Sequence, residues 1–384
     1  MRKGVIVLCV VACLLGTSAK VFAQVGRYIV TARAPLGKAV EAVGGRVVHQ
    51  FHMVPGLAVE LPEVAVKQLR ANPAVVSVEP DVVVNALSGD ALKRQRPGTD
   101  RRQPGEVIEW NVDRIDAELV WSLSTGAGVK VAVVDTGIDR DHPDLVANIA
   151  GGVNFVRKGN SLNPDRWDDD NGHGTHVAGI IAAVDNEIGV VGVAPGARLY
   201  AVKVLDASGS GWLSDVVAAV EWSVDNRMDV INMSLGASSG SPLLEGACQA
   251  AAEAGIVIVA AAGNDGGPVL YPARYSSVIA VGATDSSDSV PWWSNRGPEL
   301  EIVAPGVNVR STWKGGGYRT LSGTSMAAPH VTGVCALMLA LSPPPADPRA
   351  QLQGTADDLY SPGRDEISGF GLVDADEAAA GLPL

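Results

Sequence analysis

Three residue types that could together hydrolyse an acyl bond stand far apart in the sequence. A serine hydroxyl is a weak nucleophile at neutral pH, so it needs a base to remove its proton and a carboxylate to orient that base. Asp135 ends an apolar run, His173 lies between two glycines at the start of a helix-like segment, and Ser325 opens a small-residue helix. Amides at the start of a helix can stabilise developing negative charge. These residues predict serine-based acyl transfer, provided that the fold brings them together.

Each of these residues also has a plainer interpretation. An aspartate after a strand is often a turn residue, and a serine at a helix start is often an N-cap. His173 and His176 could suggest zinc, but the segment has no HExxH pattern and no third ligand at a useful spacing, so we predict that His176 is structural. Ser325 lacks a GxSxG setting, and the order Asp, His, Ser differs from that of an α/β-hydrolase.

The elements that must position these residues follow from the apolar pattern. Non-alternating apolar runs predict strands covered on both faces, and they lie at 129–134, 199–204, 230–233, 256–261 and 278–281. Helical spacing covers 173–184, 214–226, 242–254 and 325–341. This alternation predicts an α/β fold with a doubly wound, mostly parallel sheet. Its functional residues should lie at the carboxyl ends of the strands, where Asp135 stands.

The first part of the chain has a different pattern. Strand-like segments at 27–32, 46–51, 56–61 and 75–79 alternate with helix-like segments at 36–43 and 63–71. The order β-α-β-β-α-β predicts a small ferredoxin-like α+β unit. From 88 to 105 the periodicity ends, and the chain carries Lys93, Arg94, Arg96, Arg101 and Arg102 among Pro and Gly. We interpret this stretch as a linker open to proteolysis, although a solvated loop has the same composition.

Charge is divided unevenly along the 384 residues. Residues 1–106 contain 14 basic and 8 acidic residues, a net charge of +6, whereas the remainder contains 16 basic and 34 acidic residues, a net charge of −18. The two parts should therefore attract each other. An acidic main domain would repel phosphate, so nucleic acid is not expected as a partner.

The N-terminus resembles a secretory signal. Arg2 and Lys3 precede the apolar run 4–16, and small residues end in Val21-Phe22-Ala23, which predicts cleavage after Ala23. A membrane anchor is the alternative, but the run is shorter than the ~20 residues that span a bilayer. The exported chain would keep only Cys248 and Cys335, and buried unpaired thiols fit their helical surroundings better than a bridge.

Three ordered motifs resemble the signature blocks of the subtilisin-like serine proteases. They begin at Asp135 (Asp-Thr-Gly-Ile), at Asn171 (Asn-Gly-His-Gly-Thr-His-Val) and at Gly323 (Gly-Thr-Ser-Met-Ala-Ala-Pro-His). The resemblance covers about residues 107–380, and residues 27–84 are similar to the inhibitory prosegment of that family. It implies a signal peptide (1–23), an inhibitory prosegment (24–87), a basic linker with the maturation site (88–106) and a subtilisin-like catalytic domain (107–384).

The resemblance implies a secreted serine endopeptidase made as a self-processed zymogen. His173 would act as general base and acid, Asp135 would orient it, and Asn264 would donate its amide to the oxyanion. The segments Ser234-Leu235-Gly236 and Ala261-Ala262-Gly263 resemble the walls of the pocket for the residue before the cut, and Gly209-Ser210-Gly211 resembles the edge that pairs with extended peptide. Leu270 lies where relatives often have a small residue at the floor of this pocket. The resemblance therefore implies that the pocket prefers a small or medium apolar side chain of the substrate over a large aromatic one.

The resemblance also implies a structural calcium ion. Hard oxygen ligands would come from the side chains of Asp144 and Asn186 and the carbonyls of Val184, Ile188 and Val190, with Glu106 as a further ligand. A solvated Asp-Asn turn is the alternative. Glu299 and Glu301 resemble a second, weaker cation site. The three acidic residues 168–170 are interpreted as a solvated charge run, which could favour basic substrates.

Two other functions fit parts of the sequence. A catalytically silent relative would bind peptides without cutting them, yet all four catalytic positions hold the expected residue types. A nucleotide-binding α/β protein would need a glycine-rich turn after its strand, whereas Gly126 and Gly128 precede theirs. We expect polypeptide substrates, the prosegment as intramolecular inhibitor, no membrane span, no organic cofactor and a monomer.

Overall fold

The computed structural model describes residues 25–87, 105–159 and 161–381. The predicted signal peptide and most of the predicted linker lie outside this range. No helix within the described part of the chain is long and apolar enough to cross a membrane.

The segment expected to be an inhibitory prosegment, called the prosegment below, has the predicted β-α-β-β-α-β order. Its elements are β1 (Val25–Ala32), α1 (Gly37–Ala42), β2 (Arg46–Gln50), β3 (Gly56–Pro62), α2 (Glu63–Arg70) and β4 (Val75–Pro80). The strands form an antiparallel sheet in the order β2-β3-β1-β4. This is the ferredoxin-like arrangement that the sequence pattern predicted. A short strand, β5 (Val83–Ala86), leaves this unit and joins the catalytic domain.

A seven-stranded parallel sheet organises the domain that is expected to be catalytic, called the catalytic domain below, as the apolar runs predicted. Its strand order is β14-β13-β12-β10-β6-β8-β7. The strands are β6 (Lys130–Asp135), β7 (Ile149–Asn154), β8 (Arg198–Lys203), β10 (Val230–Met233), β12 (Val257–Ala261), β13 (Ile279–Thr284) and β14 (Ile302–Pro305). Both β7 and β14 were missed, because β7 contains two adjacent glycines and the apolar run of β14 has only three residues before Pro305.

Helices and smaller strands surround this sheet. They are α3 (Trp110–Asp113), α4 (Ala117–Val120), α5 (His173–Ala182), β9 (Ser210–Trp212), α6 (Leu213–Asp225), β11 (Leu235–Gly236), α7 (Pro242–Glu253), β15 (Val309–Trp313), β16 (Gly317–Leu321), α8 (Thr324–Leu339), α9 (Pro348–Gly354) and α10 (Ala375–Ala380). Nearly every residue of α5 and α8 is buried, because small side chains let these helices pack closely on the sheet and on each other.

The prosegment sheet packs on α6 and α7. Ile29 and Phe51 of the prosegment share a buried apolar cluster with Leu213 and Leu243 of these helices. At the start of α6, Asp81 of the prosegment accepts hydrogen bonds from the Ser214 main-chain nitrogen (3.0 Å) and hydroxyl (2.6 Å). A carboxylate at that position complements the positive end of the helix.

Ion pairs cross the same interface. Arg27 and His49 of the prosegment contact the Asp215 carboxylate at 2.5 and 2.7 Å, and His52 contacts Glu221 at 3.2 Å. The contacts have the sign that the uneven charge distribution predicted.

Candidate active site

Asp135 and His173 meet at the carboxyl edge of the sheet. Asp135 ends β6 and is fully buried, while His173 is the first residue of α5. The His173 Nδ1 atom lies 2.8 and 2.9 Å from the two Asp135 carboxylate oxygens. A carboxylate can only accept here, so Nδ1 carries the proton and Nε2 keeps its lone pair. Nε2 is buried and has no hydrogen-bond partner among the described residues.

The glycines beside His173 serve close packing. A Cβ at Gly172 would lie 2.4 Å from the Trp313 ring, and a Cβ at Gly174 would lie 2.2 Å from the Gly137 carbonyl. Gly172 also has a φ of +117°, which disfavours other residues. These contacts let α5 begin directly against the Asp135 turn.

Asp169 is a functional residue that the sequence reasoning missed. It is only 7% exposed, so the interpretation of 168–170 as a solvated run is wrong for this member. Its Oδ1 atom accepts from the Thr136 hydroxyl (2.9 Å) and the Gly172 nitrogen (2.8 Å), and its Oδ2 atom accepts from the Thr175 hydroxyl (2.6 Å). Asp169 therefore fixes the start of α5 relative to the residue after Asp135.

The two carboxylates tune the His173 imidazole. Burial alone would lower its pKa, but the charge and hydrogen bond of Asp135, with a further contribution from Asp169, raise the pKa of His173 above its ordinary value. An imidazole with a raised pKa is a stronger base, which suits it to take a proton from a hydroxyl.

Ser325 is the second residue of α8, and it forms hydrogen bonds with Ser234, the residue that follows β10. Its hydroxyl donates to the Ser234 carbonyl (2.9 Å), and the Ser234 hydroxyl donates to the Ser325 carbonyl (2.9 Å). That carbonyl is available because Pro329, four residues later, has no N–H to complete the helical hydrogen bond. Ser325 therefore lies at the same sheet edge with a defined hydroxyl direction, and its hydroxyl is bonded to Ser234, not to His173.

Asn264 follows β12 and is held by its side-chain oxygen. This Oδ1 atom accepts from the Thr324 nitrogen (2.8 Å) and the Thr324 hydroxyl (2.9 Å). Since the oxygen is fixed, the amide Nδ2 points away from Thr324, and it donates to the carbonyl of Leu87 in the prosegment. A peptide carbonyl thus lies against the predicted oxyanion donor, and the oxygen of the same side chain is bonded to Thr324, the residue before Ser325.

The prosegment strand β5 lies across the predicted substrate edge. It pairs antiparallel with β9 on one side and with β11 on the other, so it completes a three-stranded sheet. The Ala86 nitrogen donates to the Gly209 carbonyl (2.9 Å), and the Leu87 nitrogen donates to the Ser234 carbonyl (3.2 Å). Both predicted peptide-binding segments, 209–211 and 234–236, therefore contact the same strand, and they do so through backbone hydrogen bonds.

Leu87 also touches the predicted pocket. A Cβ at Gly236 would lie 3.0 Å from Leu87 Cδ1 and 3.3 Å from Leu270 Cβ, and a Cβ at Gly263 would lie 2.9 Å from Leu270 Cγ. The two glycines therefore flank the Leu270 side chain, and the Leu87 side chain lies beside the same Gly236. In the third segment, Ala261 and Ala262 are buried in the core, and Gly263 is also buried, against Asn295 and Leu270.

The predicted calcium ligands converge on one loop. Asp144 is fully buried, its Oδ1 atom accepts from the Asn186 amide (3.1 Å), and its Oδ2 atom accepts from the Val190 nitrogen (3.0 Å). The Glu106 carboxylate accepts from the Asn186 nitrogen (2.5 Å), and Gly105 forms a β-bridge with Ile188. Val184 is tied to the same loop by its bond to the Asp144 carbonyl (3.0 Å).

This loop fits a hard cation. Burial raises the pKa of Asp144 to about 6, and no ion pair within the described ranges joins it to a basic side chain. A buried carboxylate without a cationic partner is costly, and a bound cation with oxygen ligands would stabilise it. The second predicted pair differs, because Arg274 contacts Glu299 (3.0 Å) and Arg349 contacts Glu301.

Other polar groups near the site are structural. The His176 Nε2 atom donates to the Arg319 carbonyl (2.9 Å), and burial lowers the pKa of His176 to about 3, in line with the structural role expected for it. Cys248 and Cys335 are buried and unpaired, and burial raises the pKa of each thiol to about 12. These thiols are inert hydrophobic residues.

The geometry agrees with comparisons to known proteins. Residues 126–371 match the subtilase family, and residues 21–87 match the peptidase inhibitor I9 family. The chain is 44% identical over 344 residues to subtilisin amylosacchariticus from Bacillus subtilis subsp. amylosacchariticus, with 88% of this chain and 84% of the relative covered. It is 45% identical over 336 residues to a thermostable alkaline protease from Halalkalibacterium halodurans, with 86% and 85% covered.

An alkaline protease from Alkalihalobacillus alcalophilus is 44% identical over 342 residues, with 88% of this chain and 83% of the relative covered. The family match spans most of the catalytic domain, and the relatives align along both the prosegment and that domain. The chain therefore belongs to the subtilase family and is a serine endopeptidase with an inhibitory prosegment.

Proposed function

We propose that Ser325 is the nucleophile, His173 the general base and Asp135 the residue that orients it. Ser325 exchanges its hydrogen bond to Ser234 for one to the free Nε2 atom of His173, which takes the hydroxyl proton as the oxygen attacks the substrate carbonyl. His173 then returns the proton to the leaving amine, and water hydrolyses the acyl-enzyme by the same route. Asn264 Nδ2 stabilises the oxyanion in both steps.

The first substrate is the chain itself, cut between Leu87 and Ser88. The observation that carries this proposal is the hydrogen bond from Asn264 Nδ2 to the Leu87 carbonyl, with β5 paired on both sides in the cleft. After the cut, the same strand and the interface with α6 and α7 keep the prosegment bound as an inhibitor. The prosegment would therefore end at Leu87, and the proposed cut lies just before the linker 88–106, within which the sequence analysis expected the maturation site.

The same contact defines a substrate preference. The pocket that receives Leu87 is narrowed by Leu270 between the two glycines, so a leucine-sized side chain fits and a large aromatic one is crowded. Because most other contacts to β5 are backbone hydrogen bonds, many sequences are accepted beyond this position. We infer a peptidase of broad range with a preference for medium apolar residues before the cut.

Calcium binding at the loop of Asp144 completes the proposal. The side chains of Asp144, Asn186 and Glu106 would hold the ion together with the carbonyls of Val184, Ile188 and Val190. The ion would supply positive charge to a buried carboxylate and would take no part in the reaction. We further propose export through the signal at 1–23 and action as a monomer outside the cell.

Two measurements test the proposed function. A labelled fluorophosphonate should capture the mature enzyme at Ser325, since only an activated serine reacts. Expression in a protease-free host should give a catalytic chain that begins at Ser88, and the Ser325→Ala variant should remain a single uncut precursor. Trimming of that variant at the same bond would show that another protease makes the cut, and an unlabelled mature enzyme would refute the role of Ser325.

A further inference from the structure

A buried carboxylate lies behind the loop that carries Leu270. Glu301 is only 5% exposed, and both of its oxygens bond to the Arg349 guanidinium, one of them to Nε at 2.7 Å. The Gln353 amide also donates to Glu301 Oε1 (3.0 Å). A charge at this depth requires close compensation, which the guanidinium provides in a bidentate form.

Arg349 also bonds to the main chain of the neighbouring loop. Its Nη1 atom donates to the Ser276 carbonyl (2.7 Å), and its Nη2 atom donates to the Val278 carbonyl (3.4 Å). One guanidinium therefore gathers a carboxylate and two carbonyl oxygens from segments that are distant in sequence. An oxygen cluster of this kind is the coordination shell that an alkali or alkaline-earth cation prefers.

The surrounding arginines disfavour the binding of a metal cation in addition to Arg349. Arg274 contacts Glu299 (3.0 Å), and Arg364 donates to the carbonyls of Pro298 and Leu300. The cavity of about 310 Å³ between these groups is lined by three arginines against two glutamates, a formal net charge of +1. The pair Glu299 and Glu301, expected to form a weak cation site, is thus already neutralised by side chains.

The clamped segment leads directly to the proposed substrate pocket. The Arg274 nitrogen donates to the Leu270 carbonyl (2.9 Å), and the Val278 nitrogen donates to the Tyr275 carbonyl (2.9 Å). Arg349 thus holds the far end of a turn whose near end carries the pocket residue.

We propose that Arg349 is a built-in cation: its guanidinium takes the place of a bound metal ion and makes the turn at 270–278 independent of alkali ions. Removing the guanidinium should leave the oxygens of Glu301, Ser276 and Val278 without a positive charge between them. The variant should therefore gain a cation-binding site that the natural chain lacks. The inference concerns stability, so it does not depend on the proposed catalytic roles.

The test uses thermal unfolding of full-length precursors that all carry Ser325→Ala, at one low calcium concentration. Tm is measured in potassium chloride and in tetramethylammonium chloride of equal ionic strength, because the second cation is too large for an oxygen cluster. The parent should have the same Tm in both salts. Arg349→Gln should melt about 5–10 °C lower in tetramethylammonium, since it leaves a buried carboxylate unpaired, and potassium or millimolar guanidinium should restore at least half of the loss.

Arg310→Gln is the matched control. Arg310 also pairs with one glutamate, Glu109, at 2.8 Å and is similarly buried, but no main-chain carbonyl among the described residues accepts a hydrogen bond from its guanidinium. Its variant should lose stability equally in both salts. The proposal fails if the parent itself melts lower in tetramethylammonium than in potassium, or if potassium and guanidinium rescue Arg349→Gln no more than Arg310→Gln.

Discussion

Leu270→Ala should change which side chain the enzyme accepts before the cut. Leu270 lies between Gly236 and Gly263, and the Leu87 side chain lies beside the same Gly236, so we expect the Leu270 isobutyl group to limit the depth of the proposed pocket. Replacing it with alanine deepens the pocket without altering the backbone hydrogen bonds that hold β5. The variant should gain activity on phenylalanine and lose some on leucine.

The magnitude follows from packing. Forcing a larger side chain into a filled site costs about 1–3 kcal/mol, and relief of this crowding should raise kcat/KM for phenylalanine by about 5- to 150-fold. A leucine substrate loses contact with the removed methyl groups, at about 0.8 kcal/mol for each buried methylene equivalent, so its kcat/KM should fall about fourfold or more. The ratio of phenylalanine to leucine should therefore rise by at least about tenfold.

The assay compares peptide p-nitroanilides that differ only in alanine, leucine or phenylalanine before the scissile bond. Ratios of kcat/KM within one preparation cancel errors in active-enzyme concentration, and the alanine substrate reports any general damage. Val269→Ala is the control, because Val269 is buried in the core beside Leu270 and lies outside the proposed pocket. A parent enzyme that already prefers phenylalanine, or an unchanged ratio in Leu270→Ala, would refute the pocket assignment.

Three further predictions concern other parts of the site. Asp169→Asn removes a negative charge that raises the pKa of His173, so the acid limb of the pH profile of kcat/KM should move to lower pH. An acid limb at the pH of the parent enzyme would contradict this, and Asp168→Asn serves as the control at an exposed aspartate. Leu87→Asp should slow self-cleavage at least about 100-fold, as followed by the appearance of mature chain on gels, because it buries a charge in an apolar pocket; cleavage at the parental rate would exclude this bond. Asp144→Asn in the Ser325→Ala precursor should weaken calcium-dependent stabilisation at least about tenfold in calcium concentration, and an unchanged calcium titration of Tm would exclude this residue as a ligand.

Much of the fold could be predicted because its buried strands consist of uninterrupted runs of apolar residues in the sequence. The strand Lys130–Asp135 sits between two parallel neighbours and is covered by helices on both faces, so all of its inner positions are apolar. The strand Ile149–Asn154 lies at the sheet edge and contains Gly151 and Gly152, where a Cβ at Gly152 would lie 2.6 Å from the Ala201 carbonyl. Its glycines serve close packing, and the apolar signal is lost with them.

Residues of the site could be predicted where the residue type alone indicates the chemistry. Prediction was poorer where the role of a residue depends on which side chains lie next to it in the fold. Three adjacent aspartates at 168–170 are indistinguishable by type, yet only Asp169 is buried against the start of α5. Its position four residues before His173, and the threonines that bond to it, are the only sequence signals. Likewise, nothing in the sequence around Glu301, which lies just before β14, indicates that Arg349 in α9 neutralises it.

The residues on either side of the segment 88–104 are both held against the catalytic domain. Leu87 lies in the cleft while Gly105 already bonds to the loop at Ile188, and the residues between them, 88–104, could reach across about 55 Å when extended. The first docked residues of the catalytic domain are therefore in place in the uncut precursor. If the bond after Leu87 is cut as proposed, the new terminus at Ser88 is free while the domain keeps these contacts. The time that the enzyme stays inhibited would then depend on how fast the prosegment dissociates from the α6 and α7 surface or is digested.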